Sequence, residues 1–431
     1  MGDDKNFARC LLNYINESPT AYHAVGNGAE LLRQNGFKEI KEQEEWRLKA
    51  GGKYFLTKNR SAMIAFTVGH AGLEDRGFRI IGTHTDSPNF KVKPGDSITT
   101  ADGYVMLNVE VYGGVILSTW FDRPLSLAGR VMVKTQGTVT DRYVNLHRPL
   151  FIIPNLCIHF QRDVNENCSY NKHTQVLPLM WMEKDSKEKG LSLLGLLEKE
   201  LCVEGKDIVD YELSLYEYAD GILMGADEEF ISASRIDNLS MVYSALCGLI
   251  DAQDTCNTKV FAAFDNEEVG STSAAGANSL FLLTTLNRIC KNLGLDEEGC
   301  FRAIANSTSI SADTAHAVHP NYSDKHDSKN RPVLGGGPVI KYSANQKYAT
   351  TAVSASYFME ACESANVPYQ KFVMRNDMAG GSTIGPATSS LTTIPTVDVG
   401  TPILAMHSVR EFGCVADNVC SKRVFTTYYE Q

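Results

Sequence analysis

The sequence predicts an α/β protein: a catalytic domain with a mostly parallel central sheet flanked by helices, interrupted by an inserted β-rich domain. Three observations lead there. After Asp237, strand-like apolar runs alternate with helical periodicity, the rhythm of crossover units. Between about Lys93 and Ala226 that rhythm gives way to short, partly alternating strand candidates. At 431 residues the chain has room for two or three domains of roughly 150 residues each.

In order along the chain, the first element reads as a helix. Ser18-Pro19-Thr20 is a start signal, Ala24, Leu31 and Leu32 share an apolar side, and Gly36 stops it. Strand-like runs follow at 54–57, 62–68 and 78–82. Residues 104–112 partly alternate, further strands read at 131–134 and 213–218, and one helix lies near 191–201. The return reads as helix 238–252, strand 259–265, helix 277–293, strand 303–310, helix 350–365 and strand 370–374. This places the catalytic domain at 1–92 plus 231–431 and the insertion at 93–230.

Composition excludes several classes. With 43% hydrophobic and 21% charged residues, the chain is not mainly disordered, collagenous or coiled-coil. Lys and Arg number 41 against 51 Asp and Glu, a net charge of −10 spread along the sequence. There is no basic footprint for nucleic acid or an anionic membrane. Asp3 and Asp4 stand where a secretion signal carries bases, and Asn6 where a myristoylation signal needs Ser or Thr. No apolar run approaches the roughly 18 residues of a spanning helix. The 11 cysteines form no C-x-x-C pair, which argues against a thiolate zinc knuckle or a disulfide framework. The expectation is a soluble protein of the reducing cytoplasm.

Four segments share one grammar, an apolar run ending in acid or imidazole side chains. Residues 79–82 lead into Thr83-His84-Thr85-Asp86, and 260–264 into Asp265-Asn266-Glu267-Glu268. Residues 304–310 lead into Ser311-Ala312-Asp313, and 403–406 into His407. Asp237 opens a helix. Ligands of open α/β sheets bind beyond the carboxyl ends of strands, so these groups can converge. Two imidazoles and three carboxylates hold two divalent cations if one carboxylate is shared. His84, Asp237 and Asp313 are assigned to one ion, and Asp237, Glu268 and His407 to the other. Asp86 can accept the second ring N–H of His84, and Glu267 stays free as general base beside a water shared by the ions. Taken singly, each piece has a plainer reading: a surface pair, a solvated loop, or an N-cap for Asp237. Mixed imidazole and carboxylate ligation suits zinc, and manganese or cobalt fits as well.

The motifs also carry a resemblance. G-T-H-T-D-S-P (82–88), S-R-I-D-N-L (234–239), D-N-E-E-V-G-S (265–271), S-A-D-T-A-H-A-V-H-P-N-Y (311–322), R-N-D-M-A-G-G-S-T-I-G-P (375–386) and M-H-S-V-R-E (406–411) closely resemble the aspartyl aminopeptidase family, a branch of the dinuclear zinc exopeptidases. The resemblance implies release of N-terminal Asp or Glu from peptides, with Glu267 as base and His84, Asp237, Glu268, Asp313 and His407 as ligands. It implies substrate contacts from His316, Lys341 and Tyr348, and from His159 reaching a neighbouring subunit's site. It also implies a homo-oligomer, a dodecamer. Plainer roles for these four are a helix start for His316, a solvated strand end for Lys341, core for Tyr348 and a surface histidine for His159. One departure is visible: Met378-Ala379-Gly380-Gly381 stands where relatives carry Ser-Pro-Cys-Gly. The chain also lacks the N-terminal extension of vacuole-delivered relatives, which agrees with a cytoplasmic home.

Lys341 is the best cationic partner for an acidic substrate side chain. Rival plans fit worse, since G-x-S-x-G is absent around 380–385 and the Gly335–337 run lacks the lysine of a phosphate loop. Two alternatives stay open: a related dinuclear carboxypeptidase or deacylase, and a non-catalytic shell or cargo-binding assembly that kept the fold.

Overall fold

The computed structural model describes residues 2–70, 72–253 and 256–431. The chain divides into two compact units. One comprises Met1–Asp86, Gly221–Met406 and Glu411–Gln431; the other comprises Ser87–Asp220 with His407–Arg410.

The first unit is built on a nine-stranded sheet. Its strands lie in the order Lys38–Glu39, Lys53–Lys58, Ala62–Thr67, Thr258–Phe264, Phe78–His84, Thr308–Ala312, Thr396–Gly400, Val339–Tyr342 and Gln370–Val373. Among the described residues five of its eight pairings are parallel, including the three at its centre. Those central strands are buried almost throughout because both faces are covered. In Thr258–Phe264, Phe261 and Ala263 point into one core with helices Ile236–Asp251 and Val415–Glu430. Val260, Ala262 and Phe264 point into the other, with helix Phe281–Asn292. Period-two alternation thus survives as a division between two cores. A five-stranded sheet, Ile222–Met224, Phe230–Ala233, Glu411–Cys414, Pro402–Leu404 and Ala315–His316, belongs to the same unit.

One expected strand is displaced. Residues 303–310 begin inside the helix Glu297–Ala305, and the strand is Thr308–Ala312. The helix wins because the Asp296 side chain accepts from the Gly299 amide, and Glu297 and Glu298 favour its positive end. The short apolar stretch Ala303-Ile304 fitted either period.

The second unit carries a six-stranded antiparallel sheet in the order Thr138–Asn145, Leu125–Thr135, Ile208–Glu217, Asn89–Thr99, Tyr104–Tyr112 and Leu179–Met182. Phe90, Leu107, Leu127 and Leu213 share its core with Leu193, Leu197 and Leu201 of helix Leu193–Leu201. Ser192 caps that helix by accepting from the Gly195 amide. Among the described residues no helix is long and apolar enough to cross a membrane.

Candidate metal centre

Three adjacent parallel strands end at one edge of the large sheet. Phe264 pairs with His84, and Ser311 with Gly82, so the chain leaves all three strands at one level. His84 closes its strand, Glu267 and Glu268 follow the second, and Asp313 follows the third. Asp237 enters from helix Ile236–Asp251, whose preceding Arg235 is left-handed at φ 59°. Two contacts fix it. The Asp237 amide donates to Glu411 Oε2 at 2.8 Å, and the Asn238 side-chain amide donates to the Ala312 carbonyl at 2.9 Å.

The Glu-Glu turn is held by Asp86. Its two carboxylate oxygens each accept one backbone amide, from Glu267 and from Glu268, both at 3.1 Å. Asn266 at φ 63° and Gly270 at φ 96° bend the chain tightly around this clamp. Asp86 also meets His84, though the closer acceptor for Nδ1 is the Asp86 main-chain oxygen at 3.1 Å, with the carboxylate at 3.4 Å.

His84 Nε2 then faces Asp237 and Asp313, 3.5 Å from an oxygen of each. One ligand atom from each of His84, Asp237 and Asp313 lies within 4.8 Å of the others, and the same holds for His84, Glu267 and Glu268. A tetrahedral cation with bonds of about 2.0–2.1 Å keeps its donors roughly 3.4 Å apart. The 3.5 Å spacings therefore suit a shared cation better than direct hydrogen bonds. Charge gives the same result. Five carboxylates (Asp86, Asp237, Asp313, Glu267, Glu268) crowd a site where His84 is 1% exposed and Asp237 3%. Buried carboxylates in this number need a compensating cation. The donor set fits divalent metal.

The protons record the same crowding. Burial pushes the Glu267 carboxyl up to about 8; nearby His84 opposes this, while Asp313, Asp86 and Asp237 add to it. Glu268 is raised well above the carboxylate range by burial and then by Asp237. Burial pulls His84 down, yet the facing carboxylates of Asp237, Asp313 and Asp86 outweigh it and raise it well above 6.5. In metal-free protein, Glu267 and His84 both hold protons more tightly folded than unfolded. The Glu267 contribution to folding stability is then fully present below about pH 4.5 and lost as pH rises through about 8; that of His84 is present below about pH 6.5 and lost only as pH rises well above it. Melting of EDTA-treated protein from pH 5 to 9 shows the fall, and added divalent metal removes it by replacing the protons.

Glycine at position 400 lets the next strand approach the centre. A Cβ on Gly400 would overlap the main-chain carbonyl of Asp313. Gly400→Ala must shift the Asp313 backbone. We expect a loss of about 1–3 kcal/mol in stability, together with weaker metal retention on dialysis; unchanged retention would separate this contact from the site.

The other predicted residues are placed as follows. Lys341 is 2% exposed rather than a solvated strand end. Its Nζ donates to the Thr314 carbonyl at 3.1 Å, lies 3.4 Å from Asp313 Oδ2, and sits 5.2 Å from the Tyr348 ring centre. Tyr348 is buried at 5% exposure. His316 ends the short strand Ala315–His316, edge-on to Phe372 at 5.7 Å. Burial and the Lys341 charge pull it down to about 4, so it is a neutral imidazole at pH 7. His159 is in the second unit, exposed beside Phe160, which is 81% exposed. His407 belongs to the second unit as well; its Nδ1 is 3.1 Å from the Gly114 carbonyl.

Sequence reasoning passed over Glu411 and Asp398. Asp398 is fully buried, accepting from the Ala349 amide at 2.6 Å and from the Thr383 hydroxyl. The available signal was a lone acid inside the apolar strand Thr-Val-Asp-Val-Gly.

Comparison with known proteins shows what the chain is similar to. The family model described as Aminopeptidase I zinc metalloprotease (M18) matches residues 14–429. A probable M18 family aminopeptidase 2 of Clostridium acetobutylicum is 47% identical over 431 residues, covering 100% of both chains. A chain from the cryo-EM structure of the Ape4 and Nbr1 complex superposes with TM-score 0.96 at 39% identity, covering 99% of this chain and 86% of that one. The S. cerevisiae mApe1 dodecamer superposes with TM-score 0.86 at 26% identity, covering 100% and 98%. Matched along nearly its whole length, and holding a buried donor cluster at the edge of the shared sheet, the chain belongs to the M18 aminopeptidase family and is a metal-dependent aminopeptidase.

Proposed function

We propose that this enzyme removes N-terminal Asp or Glu from peptides, using two zinc ions. His84, Asp237 and Asp313 hold the first; Asp237 and Glu268 hold the second, with His407 assigned to it from the sequence pattern. Once bound, the ions supply Lewis acidity for the scissile carbonyl and make a water acidic enough to deprotonate near neutral pH. Glu267 takes a proton from that water as its oxygen adds to the carbonyl carbon. It returns the proton to the amine nitrogen as the C–N bond breaks. The observation that carries this reading is the Asp86 clamp, which holds two adjacent carboxylates in one turn beside His84. The Glu267 and Glu268 carboxylates both come within 4.8 Å of His84, so one can ligate while the other moves protons.

Lys341 has three donors, two of them directed at Thr314 and Asp313. The third is assigned to the carboxylate of the substrate's first side chain, with Tyr348 and His316 alongside. Because mApe1 forms a dodecamer, this chain is proposed to assemble as a homo-oligomer in which the exposed His159 reaches a neighbouring copy's site.

The test is a panel of short peptides differing only in their first residue, with divalent metal added. Asp- and Glu-starting peptides are cleaved and their N-acetylated forms are not. Equal hydrolysis of Leu- or Lys-starting peptides would sink the acidic specificity.

A further inference from the structure

A cavity of about 230 Å³ opens in the first unit beside His316. That is below the roughly 300–1,000 Å³ of pockets for whole small ligands, a size suited to one side chain. Its walls are mainly apolar: Phe372, Met374, Met378, Ile403, Leu404 and Met406. Thioethers adapt to varied apolar shapes, and three of them here frame one space. Two cations, Arg375 and Lys325, also line it. Arg375 grips Asp377 with two nitrogens, and Lys325 is exposed.

The cavity's position gives it a role. Of the three residues assigned to the first side chain, His316 lines it, whereas Lys341 and Tyr348 do not. Phe372, which also lines it, lies 6.5 Å from the Tyr348 ring and 5.7 Å from the His316 ring. The apolar cavity and the cationic Lys341 group thus adjoin one another through His316 and Phe372. The departure at Met378 falls on the wall of the cavity, with Met378 41% exposed.

We propose that this cavity receives the side chain of the substrate's second residue and selects an apolar one. The inference rests on the aminopeptidase reading above, because it needs a scissile bond at the metal centre. A buried apolar group in such a pocket is worth about tenfold in kcat/KM.

The experiment uses the metal-loaded enzyme and two peptide series, one varying the second residue after a fixed first residue, the other varying the first. Leu, Met or Phe at the second position is expected to exceed Gly or Lys by about tenfold or more. Met378→Ser and Met374→Ala, checked for an unchanged melting profile, should reduce that ratio to about threefold or less. A flat second-residue profile beside an intact acidic first-residue profile would overturn the proposal alone. Preference for apolar residues at the first position would put the cavity on the other side of the bond and overturn both readings. An apolar second-residue preference that survives in both methionine variants would place the selecting surface elsewhere and also overturn it.

Discussion

Glu267→Gln leaves the protein folded and fully metallated, and lowers kcat by about a thousandfold, inside the roughly 10²–10⁴ that a positioned acid–base group supplies. Glutamine matches glutamate in shape. The turn that carries it is held by backbone amides on Asp86, which the substitution does not touch. Only the ability to accept and return a proton disappears. KM should therefore change little, since the ligands of the proposed ions remain. Metal analysis separates this from collapse of the site. If the variant loses its metal along with its activity, Glu267 is a ligand; if it keeps both, the base lies elsewhere. This result also decides against a non-catalytic shell, for which an acid beside the ions would be idle.

Asp237→Asn has an effect of comparable size by a different route. Asp237 faces His84 at 3.5 Å and is assigned to both ions. Its amide still donates to Glu411 in the variant, so the helix start survives. Removing the shared charge weakens both ions by more than the roughly 10–100-fold that loss of an outer-shell partner produces. Titration with zinc should show neither ion bound tightly, and activity should vanish at limiting metal. Retention of one tight ion would mean that Asp237 serves a single ion only.

Much of this was legible in the chain, for a physical reason. His84, Glu267, Glu268 and Asp313 each follow an apolar run, and parallel strands in register bring such ends to one level. Asp237 stood out as an acid opening a helix. Two kinds of feature were not legible. The helix Glu297–Ala305 hid behind an apolar stretch too short to show its period, although Asp296-Glu297-Glu298 carried the start signal. Lys341, favoured as a substrate contact, had a solvated strand end as its plainer reading because its partners, Asp313 and Thr314, lie 28 and 27 residues away in the chain. Glu411 and Asp398 were missed for the same reason: their work is to hold Asp237, Ala349 and Thr383, distant in sequence and adjacent only after folding.

Anomalous diffraction at the zinc edge, from crystals of the zinc-loaded enzyme, tests the shared-carboxylate centre most directly. The account predicts two peaks flanking the Asp237 carboxylate, one within bonding distance of His84 and Asp313 and the other of Glu268. A single peak, or density away from these side chains, would contradict it.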